Sequence, residues 1–362
     1  MKKTCLATVR IGLIGVLFCA GGLLADEDAF VWHDGLQFEI EGQGWKNLPD
    51  HYCRLPAKAE GVAPASVWNL SKHSAGLMLR FKTDATVIKV RHQVVRELAM
   101  PHMTAVGTSG LDLYALKDGS WHWAGATRPK EKTYEAEIVS GLSGEYQEFA
   151  LYLPLYNVTK SLAIGIDRQA RFEKLSQRPE KPIVYYGSSI AQGGCASRPG
   201  MAFTAMLGRR LNHKIINLGF SGSAKMEPAL AELFAEIDAE MYVIDAFPNM
   251  PPELIRTNAE EFLSRLIRLR PGTPILIVEA RNHSEAPLVR EKDDLFRAKQ
   301  QEAKQVYKTI VSTRKNVHYL TGDALFGTDG EGTVDGSHPN DLGMVRMAEA
   351  LLPVLEKILQ GQ

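Results

Sequence analysis

The second half of the chain alternates strand-like apolar runs with helix-like segments. The runs are PIVYY, KIINL, MYVIDA, PILIVEA and VHYL, at 182–186, 214–218, 241–246, 274–280 and 317–320. Parallel strands need a crossover between them, usually a helix, and strands covered by helices on both faces read as nearly continuous apolar runs. Residues 182–362 therefore predict an α/β domain with a parallel sheet between two helical layers.

Two of the helix-like segments have clear periodicity. Residues 251–270 carry apolar side chains at helical spacing, with two prolines at the start and Pro271-Gly272 as the stop. Proline suits the first turn of a helix, and a proline-glycine pair ends one. The C-terminal segment repeats the spacing at Met344, Ala348, Leu351, Leu355 and Ile358.

The first half has the period of β-strands. Leu77, Leu79 and Phe81 alternate with Met78 and Arg80, as in a strand with one buried face. Residues 111–125 have the pattern of a hairpin that turns at Asp118-Gly119. Further short strands are predicted at 86–90, 134–139, 149–155 and 161–166. This spacing predicts an antiparallel β-sandwich over 26–167. The polar segment 168–181 lacks apolar periodicity and is predicted to be a linker.

The first 25 residues have the features of a secretory signal peptide. Lys2 and Lys3 precede an apolar run from Ile11 to Ala20, and small residues lead to Ala25. The alternative is a retained membrane anchor, but the run is shorter than the ~20 residues that span a bilayer. We therefore expect an exported protein, periplasmic or secreted, with no membrane span once the leader is removed.

The charge balance limits the partners. Lys plus Arg and Asp plus Glu both number 42 in this 362-residue chain. This balance gives no electrostatic case for binding nucleic acid or an anionic membrane surface, and favours a neutral or weakly charged small-molecule or glycan substrate. The oligomeric state does not follow from it.

Two cysteines, Cys53 and Cys195, remain outside the leader. An oxidising compartment permits a disulfide between them. Two free buried thiols are the favoured alternative, because the residues fall in different predicted domains. Neither cysteine has metal-ligand spacing, so no metal site is expected.

Four short motifs occur in order along the second half: GSSI at 187–190, NLGFSG at 217–222, PNM at 248–250 and DGSH at 335–338. Each follows a predicted strand or precedes a predicted helix. These positions lie at the carboxyl ends of the strands, which is the edge where an open α/β sheet holds its ligand site. Together the motifs supply a serine, a histidine with a nearby aspartate, and several N–H donors.

This set of motifs resembles the SGNH hydrolases, also called GDSL esterases. The stretch Gly110-Leu111-Asp112-Leu113-Tyr114 is similar to the Gly-x-Asp-Leu-Tyr motif of the amino-terminal domain that precedes one branch of that family. The resemblance covers nearly all of the chain after the leader. It implies a three-layer, flavodoxin-like α/β/α domain preceded by a β-domain, and serine esterase chemistry without a cofactor.

The resemblance implies a catalytic triad of Ser189, His338 and Asp335. Serine needs a base to become a nucleophile, and the carboxylate would orient the imidazole and stabilise its protonated form. Ser188 is the nearest rival of Ser189. It occupies the position of the family's usual aspartate, which is not the general base.

The resemblance also implies an oxyanion hole. Its donors would be the backbone N–H groups of Ser189 and Gly222 and the side-chain amide of Asn249. Two alternatives remain open: Asn249 as a helix N-cap, and Gly219 and Gly222 as turn glycines.

Several further residues are weaker candidates. His102 would wall the substrate pocket or be a satisfied core histidine. Glu279 and Arg281 would bind substrate hydroxyls or form an ion pair that braces a loop. Trp121 and Trp123 share one strand face, as a sugar platform or as sandwich core.

We therefore expect an exported serine esterase that removes short acyl groups such as acetate, with carbohydrate as the favoured alcohol. The alternatives are a lipolytic acylhydrolase or thioesterase, and an inactive glycan-binding protein. An intact set of Ser189, Asp335 and His338 argues against the last.

Overall fold

The computed structural model describes Met1 and residues 29–311, 316–323 and 325–361. Apart from Met1, the expected signal peptide lies outside the described residues. Within the described ranges, no helix is long and apolar enough to cross a membrane.

The first domain is an antiparallel β-sandwich, as predicted. In the described part of the chain one sheet has four strands, in the order β1 (Phe30–Asp34), β8 (Thr159–Asp167), β3 (Val87–Val94) and β6 (Thr133–Ser140). The other has five, in the order β5 (Ser120–Ala126), β4 (Asp112–Lys117), β7 (Gln147–Tyr152), β2 (Met78–Thr83) and β9 (Phe172–Lys174). Alternate residues such as Leu79, Phe81, Val90 and Ile164 are buried together between the sheets.

The predicted linker is partly structured. Its residues 172–174 form β9, which pairs with β2 in antiparallel register. Phe172 stacks on Phe81 with ring centroids 5.4 Å apart. A three-residue edge strand with one apolar side chain leaves no periodicity in the sequence, so a pattern-based prediction does not detect it.

The second domain has the predicted three layers. Among the described residues its parallel sheet runs β11 (Ile215–Gly219), β10 (Ile183–Gly187), β12 (Met241–Asp245), β13 (Ile275–Val278) and β14 (Val317–Leu320). The first strand of the domain, β10, therefore lies inside the sheet with later strands on both sides. This is the flavodoxin-like order, and its switch point between β10 and β12 is where such sheets bind ligands.

Helices cover both faces of this sheet. Among the described residues, the first half of the chain contains α1 (Ala65–Ser71) and α2 (Ala105–Ser109), and the second domain contains α3 (Ser189–Gln192), α4 (Phe203–Arg210), α5 (Pro228–Phe234), α6 (Pro252–Leu254), α7 (Glu260–Leu269), α8 (Arg290–Val311) and α9 (Asp341–Gln360). Leu230 of α5 and Phe262 of α7 pack on one face of the sheet, and Leu207 of α4 and Leu351 of α9 pack on the other. The segment predicted as one helix over 251–270 contains a π-helical turn, Ile255–Ala259, between α6 and α7.

The aspartate of the Gly-x-Asp-Leu-Tyr motif joins the two domains. Asp112 is fully buried and accepts hydrogen bonds from Arg198 Nη1 at 2.8 Å and from the Gly200 N–H at 2.7 Å. It also accepts from Trp123 Nε1 at 2.9 Å. Arg198 and Gly200 belong to the loop that follows α3. The first domain therefore holds a loop of the second domain through one carboxylate.

We expect Asp112→Ala to lower the free energy of unfolding by about 3 kcal/mol, because it removes the carboxylate partner of Arg198, which keeps only the Tyr114 hydroxyl as acceptor for Nη1, and leaves two N–H donors without an acceptor. Equilibrium denaturation measures this loss. Glu97→Ala is the matched control, since it removes an exposed ion pair with Lys132 in the same domain and should change little. Equal effects of the two substitutions would contradict the conclusion that Asp112 holds the loop of the second domain.

Candidate active site

Ser189 lies at the sharp turn between β10 and α3. Gly187 ends the strand, and a Cβ there would come within 2.7 Å of the Ala191 Cβ. Ser188 is fully buried, and its Oγ accepts a hydrogen bond from the Ile190 N–H at 3.3 Å, so it caps the short helix. Ser189 is 7% exposed. The turn thus places Ser189, and not Ser188, at the surface of the cleft.

Ser189, His338 and Asp335 form one hydrogen-bonded chain. Ser189 Oγ lies 2.8 Å from His338 Nε2, and His338 Nδ1 lies 2.8 Å from Asp335 Oδ2. The second carboxylate oxygen accepts from the backbone N–H groups of His338 at 2.8 Å and Ser337 at 3.1 Å. The loop therefore fixes the orientation of the ring, and the arrangement can pass a proton from serine to imidazole.

Asp335 is ionised in this arrangement. Its partial burial favours the neutral form, but hydrogen bonds from the His338 backbone, the His338 ring and the Ser337 backbone outweigh that effect. They lower the pKa of Asp335 to about 2. The carboxylate therefore stays negative throughout the range in which histidine side chains titrate.

Gly219 ends β11, and Gly222, the glycine predicted for the oxyanion hole, lies in the loop that follows. Gly219 packs closely on α3, since a Cβ there would lie 2.2 Å from the Gln192 backbone nitrogen. Gly222 has a φ of +66°, which favours glycine, and open space where a Cβ would be. Gly219 is thus a packing glycine, whereas Gly222 lies on the exposed side of the loop.

Asn249 lies in the 3₁₀ turn Phe247–Asn249 after β12. Its Nδ2 donates to the Phe220 carbonyl at 3.3 Å, so the side chain reaches the loop that carries Gly222. The N-cap of the following helix is Pro251, and the helix-cap alternative for Asn249 is therefore wrong. Asn249 and Gly222 remain predicted oxyanion donors.

A buried arginine of the first domain supports this loop. Arg54 donates to the carbonyl oxygens of Gly219 at 2.7 Å, Asn217 at 3.2 Å, His73 at 2.8 Å and Leu70 at 2.7 Å. Burial lowers the pKa of its guanidinium to about 9. Sequence reasoning missed Arg54, because nothing in its local sequence shows that it contacts a segment more than 160 residues away.

The comparisons with known proteins agree with this geometry. A model described as the GDSL-like lipase/acylhydrolase family matches residues 180–356, and one described as the N-terminus of SGNH-hydrolase-type esterases matches residues 30–172. A solved structure from Bacteroides ovatus ATCC 8483, described as a GDSL-like lipase, is 36% identical, covering 91% of this chain and 98% of its own, with a TM-score of 0.87. The chain belongs to the SGNH, or GDSL-type, hydrolase family.

More distant structures share the fold of this SGNH hydrolase. The salicylyl-acyltransferase SsfX3 from a tetracycline biosynthetic pathway is 18% identical, with coverage of 92% and 96% and a TM-score of 0.71. The acetyl xylan esterase Est2A from the rumen bacterium Butyrivibrio proteoclasticus is 12% identical, with coverage of 91% and 99% and a TM-score of 0.56. A search of the curated proteins finds no match.

The structure contradicts the roles suggested for Glu279 and Arg281. Glu279 is 0% exposed and accepts from Gln300 Nε2 at 2.7 Å and from the Gly322 N–H at 3.0 Å. Arg281 is buried against Asp245, with Nη2 2.5 Å from Oδ2. The ion pair of Arg281 is therefore with Asp245 and not with Glu279, and Glu279 faces the interior of the SGNH domain.

The other candidates, His102, Trp121 and Trp123, are not core residues. The His102 ring is half-buried, and its centroid is 5.5 Å from that of His338. Trp123 is 54% exposed, with its indole N–H bound by Asp112, and Trp121 is half-buried beside the second domain. Neither tryptophan belongs to the sandwich core.

Cys53 and Cys195 are buried free thiols.

A small cavity of about 30 Å³ adjoins the triad. It is lined by Ile190, Pro248 and Ser337, which are the sequence neighbours of Ser189, Asn249 and His338. Lys299 also borders it and donates to the Pro248 carbonyl at 3.0 Å. A wider cavity of about 970 Å³ lies near Pro274, at the opposite edge of the sheet.

We expect Ser189→Ala to reduce ester hydrolysis by roughly 10⁴-fold or more with folding intact, because the nucleophile is removed. Ser188→Ala is the matched control: it removes only a helix cap and should keep most of the activity. Rates with a nitrophenyl acetate substrate compare the two. The reverse order would show that the nucleophile is Ser188.

We expect Asp335→Asn to lower the rate of ester hydrolysis by about 10⁴-fold, because the imidazole loses its orienting partner. Since the pKa of Asp335 is lowered to about 2, its carboxylate is ionised at every pH above about 4, and the loss should be the same across that range. Rates with nitrophenyl acetate at several pH values measure it.

Asp329→Asn is the control for this substitution. Asp329 is paired with Arg346, and its pKa is also lowered to about 2, with the hydrogen bond from Arg346 as the main cause. Its replacement should leave the activity nearly unchanged. Equal losses for both variants would contradict a triad.

Proposed function

We propose that this SGNH hydrolase is an exported serine esterase that removes short acyl groups, above all acetyl, from carbohydrate. The observation that carries the proposal is the hydrogen-bonded chain from Ser189 Oγ through His338 to Asp335, at the carboxyl edge of a parallel sheet. The export is inferred from residues 1–25 alone.

The geometry suits acyl transfer in two steps. His338 Nε2 takes the proton of Ser189 as Oγ attacks the ester carbon, and the imidazolium then protonates the leaving alcohol. Water, deprotonated by the same imidazole, hydrolyses the acyl-enzyme. Asp335 keeps Nδ1 protonated and offsets the positive charge of the ring. No metal or cofactor has a part in these steps.

The tetrahedral intermediate needs donors for its oxyanion. We assign the N–H groups of Ser189 and Gly222 and the amide of Asn249 to this role, each worth ~3 to 4 kcal/mol of barrier. The contact of Asn249 with the Phe220 carbonyl supports the assignment, because it brings the amide to the loop that carries Gly222.

The likeness of fold to Est2A, whose name makes it an acetyl xylan esterase, supports a short acyl group and a carbohydrate alcohol. The zero net charge agrees with a neutral carbohydrate substrate. Glu279 is excluded as a sugar ligand by its burial.

One alternative has an observation in its favour. The 36% identical structure from Bacteroides ovatus is described as a GDSL-like lipase, which makes a lipolytic acylhydrolase the second candidate. A lipase would need an apolar channel for the acyl chain, whereas the small cavity has a mixed lining, with Lys299 and Ser337 beside Leu295 and Phe296.

Substrate chain length separates the two candidates. Each methylene held in an apolar channel would add ~0.8 kcal/mol, so a lipase-like site should improve steeply with chain length. We expect kcat/KM for nitrophenyl esters to fall from C2 to C8, and acetate to be released from an acetylated saccharide. Ser189→Ala is the blank. Rising efficiency up to C8 without acetate release would favour the lipolytic function.

A further inference from the structure

Three potential metal ligands from distant parts of the chain meet beside Ser189. They are His102, Cys195 and His338, and among the described residues their ligand atoms all lie within 4.8 Å of one another. Cys195 is buried, and both histidines are half-buried. Since His338 Nδ1 is bonded to Asp335, the nitrogen it offers is Nε2, which contacts Ser189 Oγ.

The backbone holds Cys195 in an unusual conformation. Its φ of +69° lies in the left-handed region, which a residue with a Cβ adopts only at some cost. The preceding Gly193 and Gly194 both donate to the Ser189 carbonyl, so the turn is part of the nucleophile's own loop. A Cβ at Gly194 would lie 3.3 Å from His338 Cδ2. The turn is therefore packed directly against the His338 ring.

The first domain brings the third ligand. A Cβ at Gly107 would lie 2.3 Å from the Ala196 carbonyl oxygen, so α2 packs without a gap on the residue after Cys195. His102 precedes this helix, and its ring lies near that of His338. The cluster is thus assembled by the interface between the two domains and does not depend on mobile surface side chains.

The donor set selects the kind of ion. Two imidazoles and a thiolate are ligands for Zn²⁺ and softer ions, whereas Mg²⁺ and Ca²⁺ prefer oxygen. In a tetrahedral zinc site with Zn–N of ~2.0 to 2.1 Å and Zn–S of ~2.3 Å, ligand atoms lie roughly 3.5 Å apart. Rotation of the side chains would bring the ligand atoms from their present spacing, within 4.8 Å, to this distance. Water would occupy the fourth coordination position.

We propose that His102, Cys195 and His338 form an inhibitory site for Zn²⁺ or a softer divalent ion. On binding, the Cys195 S–H bond gives way to an S–Zn bond and the proton goes to solvent. His338 Nε2 donates its lone pair to the metal and can no longer accept the proton of Ser189. The inhibition rests on the proposed esterase function, but the binding does not.

The first test is inhibition. The purified protein, stripped with EDTA, should hydrolyse nitrophenyl acetate at full rate, lose activity as ZnCl₂ is added, and regain it with EDTA. Cys195→Ser should keep the basal rate and raise the zinc concentration for half inhibition by about tenfold or more. Cys53→Ser, which replaces the other buried thiol, should behave as the native protein.

The second test is independent of activity. CdCl₂ added to Ser189→Ala should give the ultraviolet absorption band of a cadmium thiolate. The band should be absent from the double variant Ser189→Ala/Cys195→Ser. In the double variant Ser189→Ala/His102→Gln it should need a higher cadmium concentration. Circular dichroism checks that each variant is folded.

The outcomes separate the two proposals. Zinc that inhibits Cys195→Ser as strongly as the native protein would act at His338 alone and would overturn the site, as would the absence of inhibition or of the band. A cysteine-dependent cadmium band in a protein that hydrolyses no ester would retain the site and remove the esterase function.

Discussion

The buried guanidinium of Arg54 is the interaction on which the rest of the site depends. It comes from the first domain and is satisfied by backbone carbonyls of both domains, among them Asn217 and Gly219 at the end of β11, just before the loop that carries Gly222. The ring of Phe220 adds a cation–π contact at 4.9 Å. A buried charge without a carboxylate is costly unless such contacts are complete. The loop and the first domain are therefore fixed relative to each other.

Two aspartates of the second domain, Asp245 at the end of β12 and Asp335 in the loop before α9, show how burial divides structural from chemical roles. Burial raises the pKa of Asp245, and the pairing with Arg281 and Tyr185 only partly offsets it, deep between the sheet and α9. Asp335 lies in a loop with water on one side, and hydrogen bonds from N–H groups lower its pKa. Of the two, only Asp335 can hydrogen-bond to a histidine in the cleft. Asp245 instead stabilises the carboxyl edge of the sheet through its pairing with Arg281 and Tyr185.

The sequence predicted the parts of the fold that depend on local patterns. Each of the five apolar runs of the second half became a parallel strand, because a buried strand needs apolar residues on both faces. Ser189, Asp335 and His338 could be predicted as a triad because each lies in a short motif at a strand end or before a helix. The edge strand at Phe172 and the π-helical turn at 255–259 were missed, since neither produces a periodic signal of its own.

The sequence by itself therefore determined the two-domain organisation and the layer order, and it predicted the serine, histidine and aspartate that the structure brings into one hydrogen-bonded chain. Tertiary structure alone decided which polar residues face the cleft. Glu279 and Arg281 follow a strand like many ligand-binding residues, yet they are buried, because their partners Gln300 and Asp245 lie 21 and 36 residues away along the chain. Arg54 at the floor of the site and the meeting of His102 with Cys195 likewise depend on how the domains pack. Contacts between distant segments arise from packing and leave no local pattern in the chain.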